Sequence, residues 1–414
     1  MPVPNSLRAH ARQLPPDQVP LRLAGGSGFA WRSGHHELVG LGVAARMPLD
    51  TGPGRLAKAG AEVAALLDGI ELDGERGAPG PVAVGALPFA DQARGELVVP
   101  ELLVRRGPDG VVWCVAVGPD GAPPTDLPLP VPPADGRPSP LTLLAVQDRR
   151  WWREAVECAL AAIEAGSVGK VVLARELLVE AERPFSRAAL LAALAGVVGS
   201  GEGAAGGLLY AMDGLVGASP ELLVRREGRA ASSCPLAGTA PRGATPAEEA
   251  ALLARLTASA KDADEHRFVV EAVAEALAEV SDDVQVQRRE VVSLATVTHL
   301  ATRIEAKLRE PVPSALDLVA LLHPTPAVAG TPTAAALDLI AELEPFQRGR
   351  YGGPVGWVDA AGDGEWAVAL RGAELSGRRA RLLAGAGIVP GSEPGAEWAE
   401  TEAKLAAMLA VLGG

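Results

Sequence analysis

The sequence predicts an α/β or α+β protein with substantial sheet, and three observations carry that expectation. Short β-rich pieces alternate with turn residues from about Leu21 to Val117, as in Glu37-Leu-Val-Gly-Leu-Gly-Val and Gly110-Val-Val-Trp-Cys-Val-Ala-Val. Helix and strand signals then alternate through the rest of the chain, from Trp151 onward. Finally, 48% of the 414 residues are hydrophobic, enough to bury one large core or two ordinary ones.

Taken in order, one helix-like stretch, Leu56 to Leu67, interrupts the N-terminal strands. Gly118 to Pro140 is crowded with Pro, Gly and Asp, too rich in breakers for regular structure. It is the best candidate for a boundary between an N-terminal β-rich part, 1–140, and a core, 141–414. Beyond it, Trp151 to Ala165 reads as an amphipathic helix, Lys170 to Val179 as a strand and Arg187 to Val198 as a helix. Gly206 to Val216 and Glu221 to Arg226 read as a strand pair around a turn. Long helices are expected at Pro246 to Leu256 and Asp262 to Val280. Strands follow at Gly353 to Val358, Trp366 to Ala373 and Arg379 to Gly385, before a final helix. No short-period internal repeat is evident.

A formal charge of −13 argues against nucleic acid or an anionic membrane as partner. An acidic protein that binds an anion must do so locally, with a metal, an Arg or backbone N–H groups. Cys114, Cys158 and Cys234 are widely spaced, form no metal-ligand motif and read as buried small hydrophobes in a reducing compartment. The N-terminus lacks an apolar signal core, and no long uncharged apolar run could span a membrane, so a soluble cytoplasmic protein is expected.

The most informative stretch runs from Glu397 to Lys404. On a helix Glu397, Glu400, Thr401 and Lys404 share one face, and Asp262 and Glu265 repeat the i, i+3 carboxylate spacing on an earlier helix. Two helices that each present paired carboxylates can build an oxygen site for a hard divalent cation, with Mg²⁺ the natural candidate. A solvated helix face is the ordinary reading of either pair alone. The glycine-rich Leu383-Ala-Gly-Ala-Gly-Ile-Val just before the second pair is something a solvated helix would not need.

Other segments offer further chemistry. Lys170 opens an apolar strand after the turn Gly166-Ser-Val-Gly, where a desolvated ammonium could become a general base or simply snorkel. Glu221 follows a Ser-Pro turn, and a partly buried carboxyl there could stay protonated as a general acid or be an edge-strand carboxylate. Gly238 and Thr239 lie in a turn suited to a carboxylate or hydroxyl ligand, though plain turn chemistry explains them equally. Arg371 among apolar neighbours needs an anion, either a ligand carboxylate or a structural partner. His299 among β-branched residues reads as a satisfied core histidine or a hydrogen-bonding contact to substrate.

Together these segments resemble the chorismate-utilising enzymes, the family of isochorismate, salicylate, anthranilate and aminodeoxychorismate synthases. The resemblance runs from about Trp151 to the C-terminus. It rests on Lys-Val-Val-Leu-Ala-Arg, Ala-Ser-Pro-Glu-Leu, Pro-Leu-Ala-Gly-Thr, Lys-Asp-x-x-Glu-His, His-Pro-Thr-Pro-Ala, Gly-Asp-Gly-Glu, Ala-Gly-Ala-Gly-Ile-Val and Glu-Trp-x-Glu-Thr-x-x-Lys, in that order. It implies a single large α/β unit, a layered β-sandwich core flanked by helices, within which the stretch near Pro140 would be a loop. It also implies that Glu265 and Glu400 ligate Mg²⁺ directly or through water, with Asp262 and Glu397 in support, and that the ion holds the ring carboxylate of chorismate. Tyr351, Arg371 and the backbone of Gly385, Ala386 and Gly387 would hold the enolpyruvyl carboxylate. Lys404 would add positive charge near the metal-bound carboxylate, and His299 and Thr239 would line the pocket.

Within the resemblance, Lys170 marks the branch that adds water, since ammonia-adding members usually carry Gln there. Ala237 stands where common aminodeoxychorismate synthases have a nucleophilic Lys. Lys170 would then deprotonate water for attack at C2, and Glu221 would protonate the departing C4 hydroxyl on the opposite face. The segment from His323 to Pro332 favours isochorismate synthase over salicylate synthase, which would also eliminate pyruvate. No glutaminase partner and a monomer are expected. A non-catalytic chorismate- or metal-binding protein is the remaining class, and an intact acid–base pair argues against it.

Overall fold

The computed structural model describes residues 7–25, 27–119, 140–198, 207–294 and 297–413. Residues 120–139, most of the breaker-rich stretch, lie outside the described residues, as does Gly206, the expected start of a strand. Among the described residues the strands form sheets of thirteen, nine and three strands. Pairing is antiparallel except where Arg8–Leu14 runs parallel to Glu71–Gly74.

Both large sheets draw strands from either side of residue 140. In the larger, Leu208–Met212 pairs with Phe29–Arg32; in the smaller, Pro354–Asp359 pairs with Val82–Ala86. The side-chain period of two explains how the larger sheet is buried on both faces. Phe29, Trp31, Leu38 and Leu103 join a core shared with Val84, Trp357 and Trp366 of the smaller sheet. The alternate residues Ala30, Val39 and Val104 join a second core with Leu190 and Leu194 of the Arg187–Val197 helix and Leu405, Met408 and Leu412 of the Pro394–Gly413 helix. The Ala260–Glu279 and Ala315–Leu322 helices pack on the smaller sheet. This is a layered β-sandwich flanked by helices. The Gly-Asp-Gly-Glu segment ends inside it: the buried Glu365 carboxylate accepts from Trp31 Nε1 at 2.9 Å and Ser33 Oγ at 2.8 Å, tying one sheet to the other.

Most expected elements are present within a residue or three, including the helix at Arg55–Asp68 and the strand at Lys170–Ala181. Two segments differ. Leu208–Met212 closes its hairpin with Leu215–Ser219, around Asp213 and Gly214, and not with the strand after Glu221, which belongs to the smaller sheet. Likewise Trp366 to Ala373 is not one strand. Gly364–Val368 lies in the smaller sheet and Gly372–Ser376 in the larger. Hydrophobic alternation reports that a residue is buried in a sheet but not which sheet, so both crossings were invisible to it. Of the three cysteines expected to be buried, Cys158 departs from the expectation and is exposed.

Candidate active site

The two crossings create the site. Leu215–Ser219 leaves the larger sheet through Pro220 and Glu221 and enters the smaller as Leu222–Glu227. Its neighbour crosses the other way, from Gly364–Val368 through Ala369, Leu370 and Arg371 to Gly372–Ser376. The corners are bonded to each other. Val368 N donates to Glu221 O and Ala218 N to Arg371 O, each at 3.2 Å. Ser219 Oγ donates to Val368 O at 2.6 Å and accepts from Glu221 N at 3.1 Å. Two corners far apart in sequence, one carrying Glu221 and the other Arg371, are thus fixed to each other.

They border a cavity open to solvent, with about 60 Å³ of enclosed space behind its mouth. Ten of the fifteen expected residues line it: Glu221, Gly238, Thr239, Glu265, His299, Tyr351, Arg371, Gly385, Gly387 and Lys404. Thr239 and His299 come from the three-stranded sheet, where they are directly paired. Five do not line it. Lys170 lies just behind, fully buried, with Nζ 3.3 Å from Glu265 Oε1. The Ala386 side chain turns into the apolar core, leaving only its backbone in the run between the two glycines. Glu400 is paired with Lys404 at 2.6 Å, and buried Glu397 with Lys261. Asp262 sits beyond Gly238, whose built Cβ would come 3.0 Å from the Asp262 Cβ.

The glycines are demanded by close approach. Lys170–Ala181 pairs with Arg379–Ile388, setting Val172 opposite Gly387 and Ala174 opposite Gly385. A Cβ on Gly387 would fall 2.2 Å from Glu265 Oε1 and 3.0 Å from Lys170 Cε. One on Gly385 would meet Leu173 O at 3.0 Å and the Tyr351 hydroxyl at 3.1 Å. Lys404 Nζ donates to Gly385 O at 2.9 Å, so the C-terminal helix grips the same strand.

Electrostatics assign the protonation states. Burial pushes the Glu221 carboxyl up to about 8, outweighing the nearby Lys170 ammonium, so it is largely neutral at pH 7. Burial acts the same way on Glu265, but Lys170, Lys404 and Lys261 together outweigh it and hold that carboxyl below its ordinary range. His299 is driven well below its usual value by burial and then by Arg371 and Lys404, so it is neutral. Its tautomer follows: Arg371 Nη2 can only donate, so Nε2 accepts at 3.0 Å and the proton lies on Nδ1, 3.2 Å from Gly238 O. His299 is therefore a satisfied buried histidine whose outward nitrogen aims a guanidinium at the cavity.

Oxygen donors suit a hard divalent cation. Asp262 is pushed up by burial and by Glu265 and Glu400, and Glu397 by burial and by Glu400, so the four carboxylates sense one another. A bound cation would relieve that repulsion, and on donor chemistry the residues fit Mg²⁺. In the structure three of the four are taken by the ammonium groups of Lys170, Lys404 and Lys261, and among the described residues no three acidic or His/Cys side chains converge as ligands. Lys261 is a site residue that sequence reasoning left without a role, although it heads the Lys-Asp-x-x-Glu-His segment. The buried Glu344–Arg348 pair was missed altogether. It buttresses the Lys170 strand, Glu344 Oε1 accepting from Ala174 N at 2.8 Å and Arg348 Nη2 donating to Val172 O at 2.7 Å.

The chain is similar to known proteins in sequence and in fold. The chain is 37% identical over 397 residues to the isochorismate synthase DhbC of Bacillus subtilis, covering 93% of each. It is 47% identical over 200 residues to the isochorismate synthase EntC of Escherichia coli, covering 48% of this chain and 51% of that one. The solved structure of MenF, the menaquinone-specific isochorismate synthase of Escherichia coli, superposes with a TM-score of 0.81 at 27% identity, over 98% of this chain and 95% of that one. The family described as "Chorismate binding enzyme" matches residues 132–413, and the chain belongs to it.

Proposed function

We propose that this chain is an isochorismate synthase, an isomerase that adds water at C2 of chorismate and expels the C4 hydroxyl. The observation that carries the reading is a neutral, buried carboxyl, Glu221, on the wall of a cavity that also holds Arg371 and Lys404 and is backed by Lys170. A protonated carboxyl is what departure of a hydroxide equivalent requires. The similarity to isochorismate synthases across nearly the whole chain supports the same reaction.

In this account Arg371, with Tyr351 and the Gly385–Gly387 backbone, binds the enolpyruvyl carboxylate, and His299 orients the guanidinium. Thr239 and Gly238 border the ring. Lys170 must first give up to solvent the proton it holds beside Glu265. As the free amine it takes a proton from water as the water oxygen bonds to C2, the ring double bonds shift, and Glu221 gives its proton to the C4 oxygen, which leaves as water. Lys170 ends protonated and Glu221 ionised, and the reverse reaction exchanges their roles. Mg²⁺ bound by Glu265 and Glu400, with Asp262 and Glu397 in support, would neutralise the ring carboxylate. Water as nucleophile makes a glutaminase partner unnecessary, and we read the enzyme as a cytoplasmic monomer.

Lys170→Ala tests the assignment. Turnover should fall by at least about 10²-fold while chorismate affinity, measured by calorimetry, stays within a few-fold. Unchanged turnover would remove Lys170 as the base.

A further inference from the structure

One buried guanidinium ties the C-terminal helix to the strand that carries Lys170. Arg175 is only 4% exposed. Its Nε donates to Thr401 Oγ1 at 2.6 Å, and its guanidinium carbon lies 3.9 Å from the centroid of the Trp398 ring. Thr401, fully buried, donates its own proton to Trp398 O at 2.7 Å, so the hydroxyl gives one bond and accepts one. Burying a guanidinium is costly, and an apolar side chain would fill the space at less cost. What the guanidinium adds is direction. The bond and the stacking together fix both the rotation and the axial register of the Trp398–Thr401 turn.

That turn sets two functional side chains. Glu400 is the residue before Thr401, and Lys404 lies three residues on, along the same face. Lys404 Nζ reaches Gly385 O, and Gly385 is paired with Ala174, the neighbour of Arg175. The contacts close a ring: Arg175 to Thr401, along the helix to Lys404, across to Gly385, and back through Ala174. We propose that Arg175, acting through Thr401, is a positioning residue that sets where the Lys404 ammonium meets the substrate. The inference rests on the isochorismate synthase reading, in which Lys404 faces a chorismate carboxylate.

Steady-state kinetics of a small variant set tests it. Thr401→Val, of the same shape without the hydroxyl, should raise KM for chorismate about tenfold with kcat within about threefold, because a binding contact is lost rather than a chemical one. Arg175→Met should do the same, and Arg175→Met with Thr401→Val should be no worse than either alone. Thr401→Ser, which keeps the hydroxyl, should stay within about twofold of the parent. The decisive readout is Thr401→Val placed on Lys404→Met: the clamp predicts no further rise in KM, whereas a merely structural role lowers the melting temperature and leaves the two effects additive. Full additivity in an enzyme that turns over chorismate overturns the clamp alone. A parent protein that leaves chorismate unchanged overturns the functional reading beneath it as well.

Discussion

Arg371 adopts a positive φ of 51°, a conformation that costs a residue with a Cβ about 1–2 kcal/mol. The corner holds it there through the bond from Ala218 N to Arg371 O, and the strained backbone turns the guanidinium toward the cavity. The sequence suggested that this Arg needed an anion. The structure gives it a neutral hydrogen-bond partner, His299, which aims the charge without cancelling it. Glu221 is the complementary case, a carboxyl that burial keeps neutral. In the proposed mechanism it works as a general acid only while protonated, so its contribution should be complete below its pKa and be lost as pH rises through it. The pH profile of kcat/KM should show an alkaline limb near pH 8. Glu221→Gln should lower kcat by about 10²–10⁴-fold with little change in KM. A variant with parental kcat would remove Glu221 as the acid.

At the scale of elements, the site depends on how closely the Arg379–Ile388 strand lies to the Ala260–Glu279 helix. Gly387→Ala would drive a methyl into the Glu265 carboxylate and against Lys170, where nothing but a shift of that pair can relieve it. Because ångström-scale misplacement can cost about 10²-fold, kcat/KM should fall by that order while circular dichroism still reports a folded chain. Parental kinetics would mean the pair tolerates displacement. The glycine run was legible in sequence because a solvated helix has no use for it. The helices bearing Glu265 and Glu400 were legible from i, i+3 spacing, and the first is capped by Ser259, whose side chain accepts from Asp262 N. Glu221 and Arg371 were legible as chemistry but not as geometry. Each was read as a strand residue, and each lies at a corner, because pattern alone does not tell a continuous strand from one that changes sheets. Lys261 was invisible as a partner of Glu397 because the pair joins two helices whose packing no local pattern encodes. Arg175 gave only the signal of a charge inside an apolar strand, the same signal that drew attention to Lys170 five residues earlier.

For the whole molecule, strands from both ends of the chain interleave in the two large sheets, so the site is a product of the complete sandwich. Pro220 and Arg371 cross between sheets whose other strands include Phe29–Arg32 and Val82–Ala86. Among the described residues no helix is long and apolar enough to cross a membrane. The protein carries a net charge of −13, yet Arg371 and Lys404 line one cavity and Lys170 lies just behind it. A dianionic substrate approaching an acidic surface needs such a local reversal of sign, since screening removes most of the distant repulsion and leaves the near cations to act. The most direct test is chromatographic product analysis of the purified protein incubated with chorismate, with Mg²⁺ and with EDTA. Isochorismate is the expected sole product, formed only with Mg²⁺. Isochorismate formed equally in EDTA would contradict the metal assignment, salicylate with pyruvate would place the chain among lyases, and unchanged chorismate would contradict the enzymatic reading itself.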